Sequence, residues 1–125
     1  MMLDTNALSA MADRDKALEH CLGSAPTLAL PVIVLGEYRY GIRNSRHRAT
    51  YESWLNERLS FFEVLPIETA TAETYAELRH ELRALGKPVP ENDLWIAALA
   101  RQYSLTIVSR DRHFTSIPKV RLLSW

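Results

Sequence analysis

Residues 93–111, DLWIAALARQYSLTIVSRD, decide the fold of this chain. The small and apolar residues at 94–100 predict a helix that runs to about Tyr103 and buries most of its surface. Residues 106–108 follow it without alternation of polar and apolar side chains, as in a parallel strand covered on both faces. A helix that leads into such a strand is one unit of an α/β fold.

The same alternation of helix and strand continues through the rest of the chain. Other strands are predicted at 1–3, 27–30, 62–67 and 120–125, and helices at 7–12, 15–22, 32–44, 46–60 and from Thr69 or Thr71 to 85. Ser45 and Asn92 are the expected N-caps of the helices that follow them. We therefore predict one domain over residues 1–125, with a mostly parallel sheet and helices on both of its faces.

Two features of this plan are less regular. The first strand ends at Leu3 and is short, since buried parallel strands usually span about 5–6 residues, so we expect a clipped start. The last strand is expected at an edge of the sheet.

Composition excludes several classes of protein. The hydrophobic fraction of 47% is enough for a packed core, and no apolar run approaches the roughly 20 residues of a membrane helix. The start of the chain lacks a signal-peptide pattern. The lone Cys21 excludes an internal disulfide and is expected to be a buried, inert thiol in a reducing cytoplasm. A net charge of zero argues against a strongly basic, non-specific nucleic-acid binder.

Four acidic residues stand where a charge is unfavourable. Asp4 and Asp111 each follow a predicted strand, and Asp93 begins a helix that leads into one. In a parallel α/β sheet all three positions lie at the carboxyl edge, where ligand sites form. Glu37 lies in an apolar helix with Gly41 one turn later, so it can face that edge with open space beside it. Clustered carboxylates repel one another unless a cation neutralises them.

Each acid alone has a simpler explanation. Asp4 and Asp93 could be helix caps, Asp111 could be a turn residue, and Glu37 could pair with Arg39, Arg43 or another basic residue. The joint pattern is the stronger signal. Oxygen ligands without a Cys or His cluster favour Mg²⁺ or Mn²⁺ over Zn²⁺. We therefore expect metal-assisted phosphodiester hydrolysis.

The segments around these acids, in their order and spacing, resemble the PIN domain, and in particular the VapC-like ribonuclease toxins of bacterial type II toxin–antitoxin pairs. The segments are 4–6 (DTN), 35–41 (LGEYRYG), 93–98 (DLWIAA) and 109–114 (SRDRHF). The resemblance covers essentially the whole chain. It implies a three-layer α/β/α sandwich around a mostly parallel central sheet.

The resemblance also implies a function. Asp4, Glu37, Asp93 and Asp111 would hold Mg²⁺ or Mn²⁺ and catalyse endonucleolytic cleavage of RNA, with tRNA or rRNA as typical targets. The protein would form a homodimer in the cytoplasm. A cognate antitoxin would wrap its helices, place a basic side chain in the acidic pocket, and provide any contact with DNA.

Further residues match the family near the acids. Thr5 and Ser109 match hydroxyl positions, and Asn6 matches an amide. His113 stands where some relatives carry another acid, and because a metal-activated water needs no histidine base, we do not assign it that role.

Basic and apolar residues supply candidates for contacts with RNA and with a partner. Arg110 and Arg112 flank Asp111 and could bind RNA phosphates or neutralise the acidic pocket. Arg43 and Arg46 lie at a helix junction and could also bind phosphate, although a solvated helix end is the simpler role. The helices at 7–22 and 32–59 could form an apolar groove for an antitoxin helix.

Two other classes of protein remain open. In the first, the chain is a catalytically silent regulatory module whose acidic pocket docks an arginine of a partner. In the second, it is a phosphoacceptor receiver domain. A receiver needs an acidic pair after its first strand, whereas Asp4 is followed by Thr5 and Asn6, and Lys119 is the only late lysine.

Overall fold

A parallel sheet forms the centre of the computed structural model, which describes residues 1–25 and 27–125. Its strands are β1 (Met2–Leu3), β2 (Leu28–Pro31), β3 (Phe62–Leu65), β4 (Ile107–Val108) and β5 (Leu122–Leu123). Within this described part of the chain the strand order is β3-β2-β1-β4-β5, and each neighbouring pair is parallel. The last strand lies at an edge, as predicted.

Helices cover both faces of the sheet. They are α1 (Thr5–Ala12), α2 (Lys16–Leu22), α3 (Val32–Ile42), α4 (Arg48–Arg58), α5 (Thr69–Ala84) and α6 (Glu91–Gln102), with short 3-10 helices at Leu59–Phe61 and Arg112–Ser116. The chain steps outward from β1 to β3 and then returns past β1 to β4. Because crossovers between parallel strands are right-handed, this reversal puts α1–α4 and α5–α6 on opposite faces. The predicted three-layer α/β/α architecture is confirmed.

The core lies where the central strands meet α6. Met2 and Leu3 in β1 and Ile107 and Val108 in β4 have no exposed surface, and neither has the stretch of α6 from Ile96 to Leu99. Burial on both faces explains why these strands do not alternate polar and apolar residues. None of the described helices has the length and apolar character needed to cross a membrane.

Two predicted helix caps are wrong. Helix α4 begins at Arg48 with His47 at its N-cap, because the Ser45 hydroxyl accepts a hydrogen bond from the His47 backbone N–H (3.1 Å) within the preceding turn. Helix α6 begins one residue before Asn92. Pro90 occupies its N-cap position with φ of −54°, a torsion that the proline ring fixes.

Smaller differences concern element ends and the cysteine. Strand β3 ends at Leu65 rather than residue 67, and α3 ends at Ile42 rather than residue 44. Helix α5 begins at Thr69, where Glu68 and Thr71 form a reciprocal capping box. Cys21 is half-buried rather than buried, because it lies on the outer part of α2 near the end of the chain.

The buried surface of α6 predicts a large difference between two leucine substitutions. Leu99→Ala should lower the free energy of unfolding by about 2–5 kcal/mol, because it opens a cavity in the core. Leu85→Ala is the matched control, since Leu85 is 54% exposed and should change stability by no more than about 0.5 kcal/mol. Urea unfolding measures both; equal effects would contradict this packing.

Candidate metal centre

The pairing of β1 with β4 brings two distant polar residues side by side. Leu3 is in register with Val108, so Asp4 and Ser109 follow at the carboxyl edge. The Asp4 backbone N–H donates to the Val108 carbonyl (3.1 Å), and the Ser109 hydroxyl donates to Asp4 Oδ2 (2.7 Å). Both side chains are buried. The chain leaves β1 and β4 in opposite directions, so this point is the topological switch point where α/β sheets bind ligands.

Asn6 ties the two segments together. Its amide nitrogen donates to Asp4 Oδ2 (3.3 Å) and to the Ser109 hydroxyl (3.1 Å), and its Oδ1 accepts from the Arg110 backbone N–H (3.1 Å). The Ser109 hydroxyl also accepts from the Asp111 backbone N–H (2.9 Å). Asp4 occupies the N-cap position of α1 without a side-chain capping bond. The Asp4 carboxylate is therefore held both by Asn6 of α1 and by Ser109, which follows β4.

Glu37 reaches the same edge from α3. The Thr5 hydroxyl donates to Glu37 Oε1 (2.9 Å), which links this helix to the segment after β1. The alternative of an ion pair with Arg39 is not found among the described residues, and the Arg39 guanidinium donates instead to Asn56. A Cβ atom added at Gly41, one turn after Glu37, would meet no atom within 4 Å, so the space beside Gly41 is open.

Asp93 and Asp111 meet at an imidazole. Asp93 is the third residue of α6 and is buried, and its Oδ2 lies 3.1 Å from His113 Nδ1. The same nitrogen lies 2.9 Å from Asp111 Oδ1. Asp111 is also the N-cap of the 3-10 helix, where it accepts from the His113 backbone N–H (2.9 Å). Asp111 thus has both roles: it caps the turn, as the simpler explanation predicts, and its carboxylate lies beside Asp93 and His113.

Residues 1–120 match the sequence profile of the PIN domain. The chain belongs to the PIN-domain family. It is 33% identical to ribonuclease VapC2 of Rickettsia felis over an alignment of 129 positions, which covers 99% of this chain and 96% of that protein. It is 35% identical to ribonuclease VapC4 of Mycobacterium tuberculosis over 100 residues, 74% of this chain and 73% of that protein.

Solved structures show the same likeness. VapBC2 from Rickettsia felis, bound to a DNA fragment from its promoter, matches with a TM-score of 0.89 and 30% identity over 99% of this chain and 97% of that chain. DNA-bound VapBC from Salmonella typhimurium matches with a TM-score of 0.87 and 28% identity over 99% and 96% of the two chains. This PIN domain is therefore VapC-like, and the receiver-domain alternative is excluded.

Mutual repulsion links the acids of this PIN domain. The pKa of Asp93 is raised to about 6, mainly by burial and also by the charges of Asp111 and Asp4, while His113 opposes the shift. Burial also raises the pKa of Asp4, with the hydrogen bond from Ser109 opposing it and the charges of Glu37 and Asp111 adding to it. The four carboxylates thus form one electrostatic unit.

This set of donors fits a divalent cation. Asp93, Asp111 and His113 each offer a ligand atom, and these atoms lie within 4.8 Å of one another. Carboxylate oxygens are the preferred ligands of Mg²⁺ and Mn²⁺. A cation there would also relieve the repulsion that raises the pKa of Asp93. One feature of the sequence indicates the place of His113. It lies two residues after Asp111, and a tight turn there brings the imidazole close to the Asp111 carboxylate.

The predicted phosphate-binding arginines differ in their surroundings. Arg110 Nε donates to the Trp125 backbone carbonyl (3.1 Å), and its guanidinium lies 4.4 Å from the centre of the Trp125 ring and 3.7 Å from an Asp15 oxygen. These contacts anchor the end of the chain and make Arg110 the weakest RNA candidate. All four arginines, Arg43, Arg46, Arg110 and Arg112, are exposed.

The raised pKa of Asp93 predicts a stability change with pH. The folded protein binds this proton more tightly than the unfolded chain does, so the stability due to protonated Asp93 is present below about pH 4 and is lost as the pH rises through about 6. In EDTA, raising the pH from 5 to 7.5 should therefore lower the melting temperature less in Asp93→Asn than in the wild type.

Glu77→Gln is the control for this measurement, since it removes an exposed acid on α5. It should keep the wild-type difference between the two pH values. An identical difference in Asp93→Asn and in the wild type would contradict the burial and charge repulsion assigned to Asp93.

Proposed function

We propose that this PIN domain is a Mg²⁺- or Mn²⁺-dependent endoribonuclease that acts as the toxin of a toxin–antitoxin pair. One observation carries the proposal: Asp4, Glu37, Asp93 and Asp111 come from four separate segments, and their charges act on one another near the switch point of the sheet. Carboxylates arranged in this way are suited to hold a hard cation against a phosphodiester. Relatives that align with nearly the whole chain are named ribonucleases.

The residues of the pocket have distinct tasks in this proposal. Asp4, Asp93 and Asp111 would hold the ion, which when bound would supply Lewis-acid polarisation of the phosphodiester and lower the pKa of a water molecule. Ser109 and Asn6 fix Asp4 Oδ2 through their hydrogen bonds.

Glu37 is the acid at the open side of the pocket. Thr5 holds one of its oxygens, which leaves the other free to orient water or to complete the ligand set. Glu37 therefore acts in positioning and Asp93 in retention of the ion.

The substrate is RNA, with tRNA or rRNA as the class implied by the family. Exposed Arg112, Arg43 and Arg46 are positioned to bind phosphates without identifying bases. The zero net charge keeps non-specific attraction weak, so we expect recognition to depend on the shape of the RNA. The remaining assignments follow the family: one domain, a homodimer, a cytoplasmic location, and contact with DNA only through the antitoxin.

The antitoxin-binding surface is a cleft between α1, β2 and the end of α4. Its volume is about 500 Å³, and Met11, Leu28, Arg58, Phe61 and Phe62 contribute to its lining. Phe61 is 75% exposed and is therefore available to a partner that fills this cleft. The similar solved structures include VapBC toxin–antitoxin complexes, so a helix of a cognate antitoxin is the proposed occupant.

Charge-neutralising substitutions test the nuclease. Asp93→Asn and Glu37→Gln should each lower RNA cleavage in Mn²⁺ by about 100-fold or more, because the first weakens retention of the ion and the second weakens positioning beside it. The proteins should remain folded, and EDTA should abolish wild-type cleavage. Glu77→Gln, on exposed α5, should cleave like the wild type. The measurement is single-turnover cleavage of total tRNA and rRNA.

Full activity of both pocket variants would contradict the proposal. A wild-type protein that cleaves no RNA in Mn²⁺, yet binds an arginine-bearing partner through its acids, would instead be the catalytically silent regulatory module.

The exposed aromatic on the cleft predicts a separable binding defect. Phe61→Asp should abolish co-purification with a co-expressed antitoxin, the product of a short neighbouring gene, while RNA cleavage by the purified variant stays unchanged. Leu85→Asp is the control, because Leu85 is exposed at the end of α5, on the opposite face of the sheet, and should keep the complex. Binding by Phe61→Asp equal to the wild type would place the antitoxin elsewhere.

A further inference from the structure

His113 is the nitrogen donor of a cluster otherwise made of carboxylates. Its Nδ1 lies 3.1 Å from Asp93 Oδ2 and 2.9 Å from Asp111 Oδ1. A single ring nitrogen carries at most one proton, which can point at only one of these oxygens. Asp111 Oδ1 already accepts from the His113 backbone N–H (2.9 Å), so Nδ1 can donate its one proton to Asp93 or, without that proton, offer its lone pair to a cation.

The same spacing suits three ligands around one ion. Ligands about 2.1 Å from an octahedral cation lie about 3 Å from their nearest neighbours. The distances from Nδ1 to the two carboxylate oxygens therefore match the spacing between neighbouring ligands of one such cation. The lone pair of Nδ1 becomes a ligand when this nitrogen carries no proton.

The backbone holds the ring in this position. The His113 N–H donates to Asp111 Oδ1, and the His113 carbonyl accepts from the Ser116 hydroxyl (3.1 Å). Phe114, the next residue, is 1% exposed and anchors the turn in the core. The His113 side chain is 53% exposed, so Nε2 can donate to solvent, as the second nitrogen of a ligating histidine usually does.

We propose that His113 is a metal ligand of this PIN domain and that it shifts the preference of the site from Mg²⁺ toward first-row transition ions such as Mn²⁺. The inference rests on the metal site of the proposed function. An imidazole nitrogen binds transition ions well and Mg²⁺ poorly, whereas a carboxylate in the same place suits both. Removing His113 therefore weakens the two ions unequally.

Pulsed electron paramagnetic resonance of Mn²⁺ bound to the full chain tests this directly, because it detects a coordinated ¹⁴N. The wild type should show ¹⁴N coupling at pH 7.5, and His113→Ala should lose it. Calorimetric titration should show Mn²⁺ affinity about tenfold or more weaker in His113→Ala and Mg²⁺ affinity changed less. His113→Glu should restore Mg²⁺ binding without ¹⁴N coupling. His80→Ala, at an exposed histidine on α5, should match the wild type.

The outcomes separate this inference from the proposed function. Mn²⁺ binding that depends on Asp93 but shows no ¹⁴N coupling would overturn the role of His113 and leave the metal site intact. Equal losses of Mn²⁺ and Mg²⁺ affinity in His113→Ala would overturn the selectivity. Failure of the wild type to bind either ion at millimolar concentration would overturn both the inference and the metal-dependent nuclease.

Discussion

The parallel pairing of β1 with β4 is the constraint on which the site depends. It aligns Leu3 with Val108 and so places Asp4 beside Ser109, at the one point where the chain leaves neighbouring strands in opposite directions. The Ser109 hydroxyl offsets part of the cost of burying Asp4. It cannot offset the repulsion from Asp93 and Asp111, which is left for a cation. The buried pairing of β1 with β4 thus keeps these carboxylates close together despite their mutual repulsion.

The sequence predicted most of this arrangement because it follows from topology. Strands without alternation, separated by helices, imply a parallel sheet, and acids placed just after such strands must share an edge. The pattern alone therefore predicts that Asp4, Asp93 and Asp111 lie near one another. The position of Glu37 also depends on the rotation of α3 about its axis. Thr5 supplies the contact that fixes it.

The missed features arise from geometry that a linear pattern does not encode. His113 reaches Asp93 only because Asp111 caps a five-residue 3-10 helix and turns the ring inward. Arg110 is held by Trp125, the last residue of the chain, whose carbonyl and ring it contacts. The predicted caps at Ser45 and Asn92 are wrong for two reasons. The Ser45 hydroxyl forms a hydrogen bond inside the turn before α4 instead of capping it. Pro90, with its fixed φ, starts α6 before Asn92.

Anomalous diffraction from crystals soaked in Mn²⁺ is the most direct test of the central claim, that these distant acids are held together around a shared ion. The account predicts an anomalous peak within about 2.6 Å of oxygen atoms from Asp4, Asp93 and Asp111, at the carboxyl edge of β1 and β4. A protein saturated with Mn²⁺ whose peaks lie only elsewhere, with these side chains turned away from one another, would contradict it.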